Sequence, residues 1–279
     1  MQLILDILSD VTYLLTYRLV GYRRNVTYNN LKNSFPEKGT SELRQIERKY
    51  YRHMCDLLIE GLHNLFASKA AIAKRYRFEN KELVDRYYYN RQSVILMSAH
   101  YNNWEYMVSS IDFQLSHHGV GVGKPLSQKG IAGFVDSRRT RYGCEVVSKH
   151  NVREVVDFYE KHHVPTAYMM LSDQAHSNPQ KSYWTRFLNR DTGFLYGAEY
   201  FARKYDIPVL YYSVRKVRRG HYSVTFEPLC EHPNEVAQYE ITERYVRRLE
   251  QEIVERPEYW LWSHRRWKKK RPTNTTIMH

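Results

Sequence analysis

The chain has 279 residues, of which 42% are hydrophobic, and it carries 43 Lys and Arg against 30 Asp and Glu, a formal net charge of +13. This length and apolar content suffice for one substantial core, and no low-complexity linker or internal repeat divides the sequence. The three cysteines are far apart and odd in number, which argues against a disulfide framework and favours a reducing compartment. The positive charge predicts an acidic partner, which could be nucleic acid, an anionic membrane surface or a phosphorylated substrate.

The first predicted element is an amphipathic helix over residues 1–24. Ile4 and Leu8 recur at helical spacing on one face, whereas Asp6 and Asp10 share another face. Because charged residues interrupt the apolar run, the segment is not a clean membrane span. An in-plane membrane anchor and an ordinary helix packed on the core both fit this pattern. Of the two, we predict the membrane-associating helix.

The rest of the chain is predicted to be helical to about residue 85 and then to alternate between strands and helices. Such alternation predicts an α/β fold with a mixed, largely parallel sheet flanked by helices. The strand candidates are residues 94–97, 120–123, 145–147, 166–171, 208–217 and 222–226, and the clearest helical patterns are residues 152–161 and 193–205. In sheets of this kind, sites form at the carboxyl ends of strands. His100, Lys124 and Asp173 each follow a strand candidate, so we expect them to converge at one edge of the sheet.

The segment after the strand candidate at residues 94–97 has the clearest chemistry. His100 lies at the strand-to-helix junction, Asn103 can cap the following helix, and Glu105 falls in its first turn. His100 and Glu105 can meet only if His100 lies in the turn. A neutral imidazole with a carboxylate partner can remove a proton from an alcohol, because the carboxylate stabilises the imidazolium that forms. The alternative is a hydrogen-bonded histidine followed by an acid that favours a helix start.

Other patterns predict no site. The adjacent histidines at residues 117–118 and 162–163 have side chains that diverge on a helix, so we interpret them as surface or helix-end residues. The glycine-rich run at residues 119–123 fails the spacing of a phosphate-binding loop, and we expect a strand that passes close to other backbone. We therefore expect no metal site and no cofactor.

The segment at residues 100–105 resembles the His-x4-Asp/Glu block of glycerolipid-type acyltransferases, and its Asn-Trp-Glu ending resembles the bacterial lipid A biosynthesis (lauroyl/myristoyl) branch. Further stretches are similar to that family's blocks and follow in its order: residues 21–26, 124–126 with 139–143, 173–174 and 257–268. The resemblance covers essentially the whole chain. It departs from the family at Tyr101-Asn102, which replaces small residues, and at the N-terminal segment, which is shorter and interrupted by charges.

This resemblance implies an O-acyltransferase with a glycerolipid acyltransferase-like fold, in which residues 25–279 form a single acyltransferase domain. It implies transfer of a fatty acyl chain from a thioester of acyl carrier protein to a hydroxyl of a lipid A precursor, with His100 as general base oriented by Glu105. The implied location is the cytoplasmic face of the inner membrane, with peripheral association or a single N-terminal anchor. The basic segment from His264 would sit on anionic headgroups or against the acidic carrier protein.

The same resemblance implies where the anionic lipid acceptor is held. The candidate substrate-binding residues are Asn103, Lys124, Arg139, Arg141, Asp173 and Gln174. Guanidinium forks bind phosphate bidentately, although a solvated face is the alternative for each arginine. Asp173-Gln174 can orient a basic residue or bond the substrate, or it is a plain turn after a strand.

Two other functions stay open from the sequence. An acyltransferase acting on another lyso-lipid, such as an aminolipid or a lysophospholipid, would need the same chemistry, because acceptor choice lies in the shape of the pocket. A nucleic-acid-binding protein would fit the charge and the aromatic content. We do not expect nucleic acid as a partner, because the basic residues are dispersed and no recognised nucleic-acid motif is present.

Overall fold

The computed structural model describes residues 2–123, 130–175 and 178–273. Its α-helices are α1 (Gln2–Tyr13), α2 (Arg24–Ser34), α3 (Thr40–Asn64), α4 (Lys69–Arg75), α5 (Glu82–Tyr89), α6 (Trp104–Gln114), α7 (Gly130–Arg139), α8 (Val152–Lys161), α9 (Gly197–Tyr205) and α10 (Glu240–Glu255). Its strands are β1 (Tyr76–Phe78), β2 (Val94–Ser98), β3 (His118–Val122), β4 (Glu145–Val147), β5 (Thr166–Leu171), β6 (Tyr183–Phe187), β7 (Arg190–Phe194), β8 (Val209–Arg218) and β9 (His221–Cys230). A π-helix at Leu14–Val20 continues α1, and a 3-10 helix at Pro257–Tyr259 follows α10.

Among the described residues, seven strands form one sheet in the order β1-β9-β8-β2-β5-β3-β4, and β6 and β7 form a separate hairpin. The pairs β8–β2, β2–β5, β5–β3, β3–β4 and β1–β9 are parallel, whereas the pair β8–β9 is antiparallel. The predicted α/β fold with a mixed, largely parallel sheet is therefore confirmed.

Strand β2 lies near the centre of this sheet and is buried along its whole length. Its side chains alternate between two cores, because Ile95 and Met97 belong to one apolar cluster and Val94 and Leu96 to the other. A strand buried on both faces carries a continuous apolar sequence, which is the pattern seen here. The strand therefore holds the segment that follows it, including His100, on a rigid support.

The glycine-rich run predicted to approach other backbone forms β3, against which α6 packs. A Cβ atom on Gly119 would lie 2.4 Å from Cγ2 of Ile111 and 2.6 Å from Oδ1 of Asp112. Distances this short leave no room for a side chain, so glycine at this position lets α6 sit directly on the sheet.

Two parts of the fold differ from the predicted elements. Strand β1 interrupts the first 85 residues, and the predicted helix at residues 193–205 begins only at Gly197, because its first residues belong to β7. The β6–β7 hairpin turns through Leu188 and Asn189, whose φ angles are 49° and 62°. Two-residue hairpin turns with positive φ angles usually contain Asn-Gly, whereas this turn contains Leu188-Asn189.

The N-terminal helix packs on α3 through its polar face. Asp6 and Asp10 form ion pairs with Arg219, and the Ser9 hydroxyl donates to Asp56 of α3 over 2.6 Å. The apolar residues point outward and are half to three-quarters exposed: Leu3, Ile4, Ile7, Leu8, Val11, Leu14, Leu15, Leu19 and Val20. Within the described ranges, no helix is both long and apolar enough to cross a membrane.

Candidate active site

A cavity of about 370 Å³ lies beside the segment that follows β2. Three parts of the chain form most of its wall, and their lining residues are, on α3, Tyr50, His53, Met54, Cys55, Leu57 and Leu58, after β2, His100, Asn102, Asn103, Trp104 and Glu105, and near the C-terminus, Tyr259, Trp260 and Leu261. Thr16 and Tyr22 of the N-terminal region complete it. The lining is mainly apolar, which is typical of a pocket for an organic substrate.

His100 is hydrogen-bonded to Asp173 at the edge of the sheet. Its Nδ1 lies 2.7 Å from Oδ1 of Asp173, and the other carboxylate oxygen accepts from the indole nitrogen of Trp260 over 2.9 Å. Since an ionised carboxylate only accepts, Nδ1 of His100 carries the proton and Nε2 keeps its lone pair. The structure thus brings together two of the three residues expected to converge. Lys124, the third, lies outside the described residues.

The pair shifts the pKa of both groups. Burial lowers the pKa of His100, but the charge and hydrogen bond of Asp173, with a smaller contribution from the charge of Glu105, outweigh it and raise that pKa above 6.5. Burial would raise the pKa of Asp173, yet the charge of His100 and hydrogen bonds from His100 and Trp260 keep it below 3.8. Each residue therefore favours the charged form of the other.

Gln174 occupies the free side of the imidazole. Its amide nitrogen lies 3.1 Å from Nε2 of His100 and donates to the lone pair of that nitrogen. A proton-bearing substrate must approach His100 at the same atom. Gln174 therefore has to move aside before Nε2 can accept a proton.

Glu105 has a different partner from the one predicted. Its two carboxylate oxygens accept from Nε and Nη2 of Arg139 over 2.8 and 3.2 Å. Glu105 was predicted to orient His100, whereas in the structure the imidazole donates to Asp173. The physical reason is that Glu105 starts α6 and faces α7, so a guanidinium fork matches its carboxylate while Asp173 reaches the ring from β5.

The two arginines predicted to bind substrate are engaged inside the protein. Arg139 also contacts Asp136 over 3.4 Å. Arg141 donates through Nη2 to the carbonyl oxygens of Asn64 and Ala67 over 2.7 and 2.5 Å, at the end of α3. In this geometry they fix α7 and the end of α3 beside the site.

Asn103 caps α6, the helix that begins directly after it. Its Oδ1 accepts from the backbone N–H of Tyr106 over 3.1 Å, and its amide nitrogen donates to Oε2 of Glu60 over 2.7 Å. Glu60 is almost fully buried and also accepts from the Tyr222 hydroxyl over 2.8 Å. Although Asn103 lines the cavity, its amide is committed to holding α6 in place.

The C-terminal segment contacts the residues that follow β2. Tyr101 forms an isolated antiparallel bridge with Trp260, and the backbone N–H of Asn102 donates to the carbonyl of Tyr259 over 3.0 Å. Beyond it, the basic segment that starts at His264 is only partly exposed. Arg266 in particular is buried, and donates to the carbonyl of Gly193 over 2.6 Å.

Reasoning from the sequence missed three features of the site. They are the hydrogen bond from Trp260 to Asp173, the hydrogen bond from Asn103 to Glu60, and the position of His53 in the cavity wall. Trp260 lies in one of the segments that resembled the family. His53 and Glu60 lie on α3, where the helical pattern itself gives no sign of chemistry.

A family model described as bacterial lipid A biosynthesis acyltransferase matches residues 2–269. The match includes the segment with His100, the residues after β5 and the C-terminal segment, so it confirms the resemblance found in the sequence. No curated protein matches this chain.

Proposed function

Since the chain belongs to the bacterial lipid A biosynthesis acyltransferase family, it is an acyltransferase of lipid A biosynthesis, and we propose that it moves a fatty acyl chain from a thioester of acyl carrier protein to a hydroxyl of a lipid A precursor. The observation that carries the proposal is the His100–Asp173 pair beside an apolar cavity. A base next to an apolar cavity suits a reaction that removes a proton from an alcohol and needs room for an acyl chain. The proposed reaction needs no cofactor.

In the proposed reaction, Nε2 of His100 takes the proton of the acceptor hydroxyl as its oxygen attacks the thioester carbonyl. A C–O bond forms and the carbonyl becomes a tetrahedral oxyanion. When this intermediate collapses, the C–S bond breaks and the departing thiolate takes the proton from His100, which returns to its neutral form. Asp173 holds the Nδ1–H bond throughout and stabilises the imidazolium between the two proton transfers.

We assign the orienting role to Asp173 and a supporting role to Glu105. A carboxylate that accepts a 2.7 Å bond from Nδ1 fixes both the tautomer and the ring plane. Glu105 acts on His100 only through its charge, while its bidentate bond to Arg139 holds the start of α6 against α7. This division explains how one imidazole can have two acids nearby without bonding to both.

We propose that the acyl chain occupies the cavity and that the acceptor approaches from its open side. The α3 wall offers Met54, Leu57 and Leu58, which suit a hydrocarbon chain. Because Arg139 and Arg141 are already engaged, exposed cations of the C-terminal segment such as Arg265 and Lys268 are better placed to attract acceptor phosphates. The same cations can attract the acidic carrier protein.

We further propose that α1 and the π-helix lie in the plane of the inner membrane, on its cytoplasmic face. Their outward residues are apolar and exposed, while their acidic residues are bonded inward to Arg219. A helix buried in the protein through its polar face gains nothing from an apolar outer face in water, but gains free energy when that face enters lipid. Leu58 and Leu62 of α3, and Phe66 just after it, extend this exposed apolar surface.

The test is a mass-spectrometric assay with the purified protein, long-chain acyl carrier protein and an under-acylated lipid A precursor. We expect the precursor to gain the mass of one acyl group with wild type and not with His100→Ala. If another lyso-lipid gains the acyl group instead, the acceptor proposed here is wrong and the aminolipid or lysophospholipid alternative replaces it. If His100→Ala keeps substantial activity, the assignment of the base is wrong.

A further inference from the structure

Arg23 is an exposed arginine beside the cavity, and the mechanism above does not use it. Its guanidinium carbon lies 5.4 Å from the centre of the Tyr22 ring, and its Nη1 donates to the carbonyl of Ser263 over 3.2 Å. Tyr22 lines the cavity although 43% of it is exposed, so it lies where the cavity wall meets the outer surface. Arg23 therefore lies at this rim, between Tyr22 and the C-terminal segment.

Two connections link this rim to the catalytic base. Tyr50, which lines the same cavity, donates its hydroxyl to Oγ of Ser263 over 2.7 Å. Burial lowers the pKa of His264, and the charges of His100 and Arg23 are among those that lower it further. Charges shift a pKa only at short range, so an imidazole that responds to both of them places Arg23 on the same side of the molecule as the base.

The guanidinium of Arg23 is left largely unpaired, unlike that of its neighbour. Arg24 forms an ion pair with Glu47 over 3.4 Å and lies over the ring of Tyr17. Across the described ranges, Arg23 forms no ion pair and one hydrogen bond, which uses Nη1. Its Nε and Nη2 groups remain available, and a guanidinium fork of this kind binds the oxygens of a phosphate bidentately.

The backbone of Arg23 makes an arginine costly at this position. Its φ and ψ angles are 52° and 24°, in the left-handed region that residues other than glycine rarely adopt. Strain of this kind clusters at active sites and ligand clamps. A role for the guanidinium in binding would explain why this turn carries an arginine.

The segment before Arg23 indicates what the guanidinium meets. Leu19 and Val20 are 76% and 73% exposed, and they belong to the apolar surface proposed to lie in the membrane. Arg23 comes directly after this surface, where a cation would lie at the level of the lipid headgroups. Its position thus favours a phosphate carried by a lipid.

We propose that Arg23 binds a phosphate group of the acceptor lipid at the rim of the cavity. The inference rests on the proposed function and adds a contact that orients the acceptor. A phosphate held at the rim fixes the headgroup while the hydroxyl enters the cavity toward His100. The phosphates of bulk membrane lipids offer the same chemistry, and the test below separates the two sources.

The deciding variant is Arg23→Gly, because glycine removes the guanidinium and suits the left-handed backbone, so the chain should still fold. A thermal melt checks this. Arg91→Gly is the matched control: Arg91 is also exposed, has a φ angle of 57°, and precedes β2, at the opposite end of that strand from His100. Arg23→Lys keeps the charge but loses the fork.

Rates are measured in detergent micelles with the phosphorylated precursor and with the same precursor after enzymatic removal of its phosphates. With the phosphorylated acceptor, we expect Arg23→Gly to raise KM about 10–100-fold and to leave kcat within about twofold, because the contact forms on binding and persists in the transition state. Arg23→Lys should raise KM less, and Arg91→Gly should match wild type. With the dephosphorylated acceptor, wild type and Arg23→Gly should have equal kcat/KM.

Three results would overturn the inference. Equal losses in Arg23→Gly with both acceptors would mean that the guanidinium only holds the carbonyl of Ser263. Unchanged kinetics in micelles, together with weaker binding to phosphatidylglycerol vesicles, would assign Arg23 to bulk membrane lipid. A similar loss in Arg91→Gly would reduce the effect to net charge.

Binding of the phosphorylated precursor without an acyl donor separates this inference from the proposed function. Tryptophan fluorescence, to which Trp104 and Trp260 of the cavity wall contribute, reports the binding. We expect Arg23→Gly to raise Kd by about 10–100-fold. If this difference is found but no acyl group is transferred, the proposed function fails and the phosphate contact stands. If acyl transfer occurs and the difference is absent, the inference alone fails.

Discussion

Ser98 and Leu171 are register partners in the parallel pair β2–β5, and the hydrogen-bonded residues His100 and Asp173 follow them at the same distance. His100 comes two positions after Ser98, and Asp173 comes two positions after Leu171. Parallel strands in register therefore bring their side chains to one place, where Nδ1 and Oδ1 are 2.7 Å apart although 73 residues separate them in the chain. The sheet, rather than the local turn, sets the geometry of the base.

Replacing Asp173 by Asn should cost the most activity after the loss of His100 itself. The amide cannot stabilise the imidazolium and does not enforce the tautomer, so we expect kcat to fall by about 10³–10⁴-fold. The charge of Asp173 raises the pKa of His100, so its removal should move the ascending limb of the pH–rate profile to lower pH. Steady-state rates between pH 5 and 9 check both effects. An unshifted limb would show that Asp173 does not control the protonation of His100.

Glu105→Gln should have a clearly smaller effect than Asp173→Asn. Glutamine keeps one acceptor for Arg139, and Glu105 acts on His100 only through space, so we expect a loss in kcat of about tenfold or less. Parallel kinetics on the two variants, with circular dichroism to confirm folding, give the comparison. If Glu105→Gln were the more damaging change, Glu105 would be the orienting acid after all.

Gln174→Ala should leave kcat nearly unchanged and raise kcat/KM. The Gln174 amide donates to the atom that must accept the substrate proton, and breaking a bond of this kind costs about 1 kcal/mol net. Its removal should therefore increase kcat/KM by a few-fold, to about tenfold at most. The measurement is the dependence of rate on acceptor concentration. A drop in kcat/KM of tenfold or more would instead mean that Gln174 binds the substrate, as the sequence first indicated.

The outward face of α1 should control binding to lipid. Leu8→Ser combined with Leu15→Ser removes two half-exposed apolar side chains and leaves the inward ion pairs intact. Each leucine contributes roughly 1–2 kcal/mol when buried, so affinity for anionic vesicles should fall by about 30- to 1000-fold in co-sedimentation. Val254→Ser, at an exposed apolar residue of α10, is the control. Equal loss with the control would mean that binding is not specific to α1.

Burial of Glu60 should make the protein less stable as the pH rises. Desolvation raises the pKa of Glu60 to about 7 against the ordinary 4.5, so the folded state binds more protons than the unfolded state between these values. Unfolding free energy should therefore decrease as the pH rises from about 4.5 to 7, by roughly 1–3 kcal/mol. Glu60→Gln should make this decrease smaller in urea titrations at pH 5 and pH 8, with the part due to buried Glu252 remaining, whereas the exposed Glu79→Gln should leave it unchanged.

The central sheet and half of the site could be predicted from the sequence. Continuous apolar runs such as β2 and β5 mark strands buried on both faces, and they identified the edge where His100 and Asp173 meet. Short-range spacing predicted Glu105 as the partner of His100, but Glu105 faces Arg139 and the imidazole donates to Asp173. A contact set by strand register has no local signature in the sequence.

Some features depend on tertiary contacts alone. The β6–β7 hairpin turns through a leucine with positive φ, which local preferences disfavour. His53 lies in the cavity wall and contacts the ammonium group of Lys216, which is far along the chain on β8. Spacing within α3 does not distinguish His53 from an ordinary helical side chain.

The contacts made by Tyr259 and Trp260 also bear on when the enzyme becomes active during its synthesis. His100 and Asp173 leave the ribosome well before the segment that bonds to Asn102, bridges Tyr101 and donates to the carboxylate. A nascent chain that ends before this segment can form the central strands but lacks one wall of the cavity. The bond from Trp260 to Asp173 and the third wall of the cavity are therefore completed last.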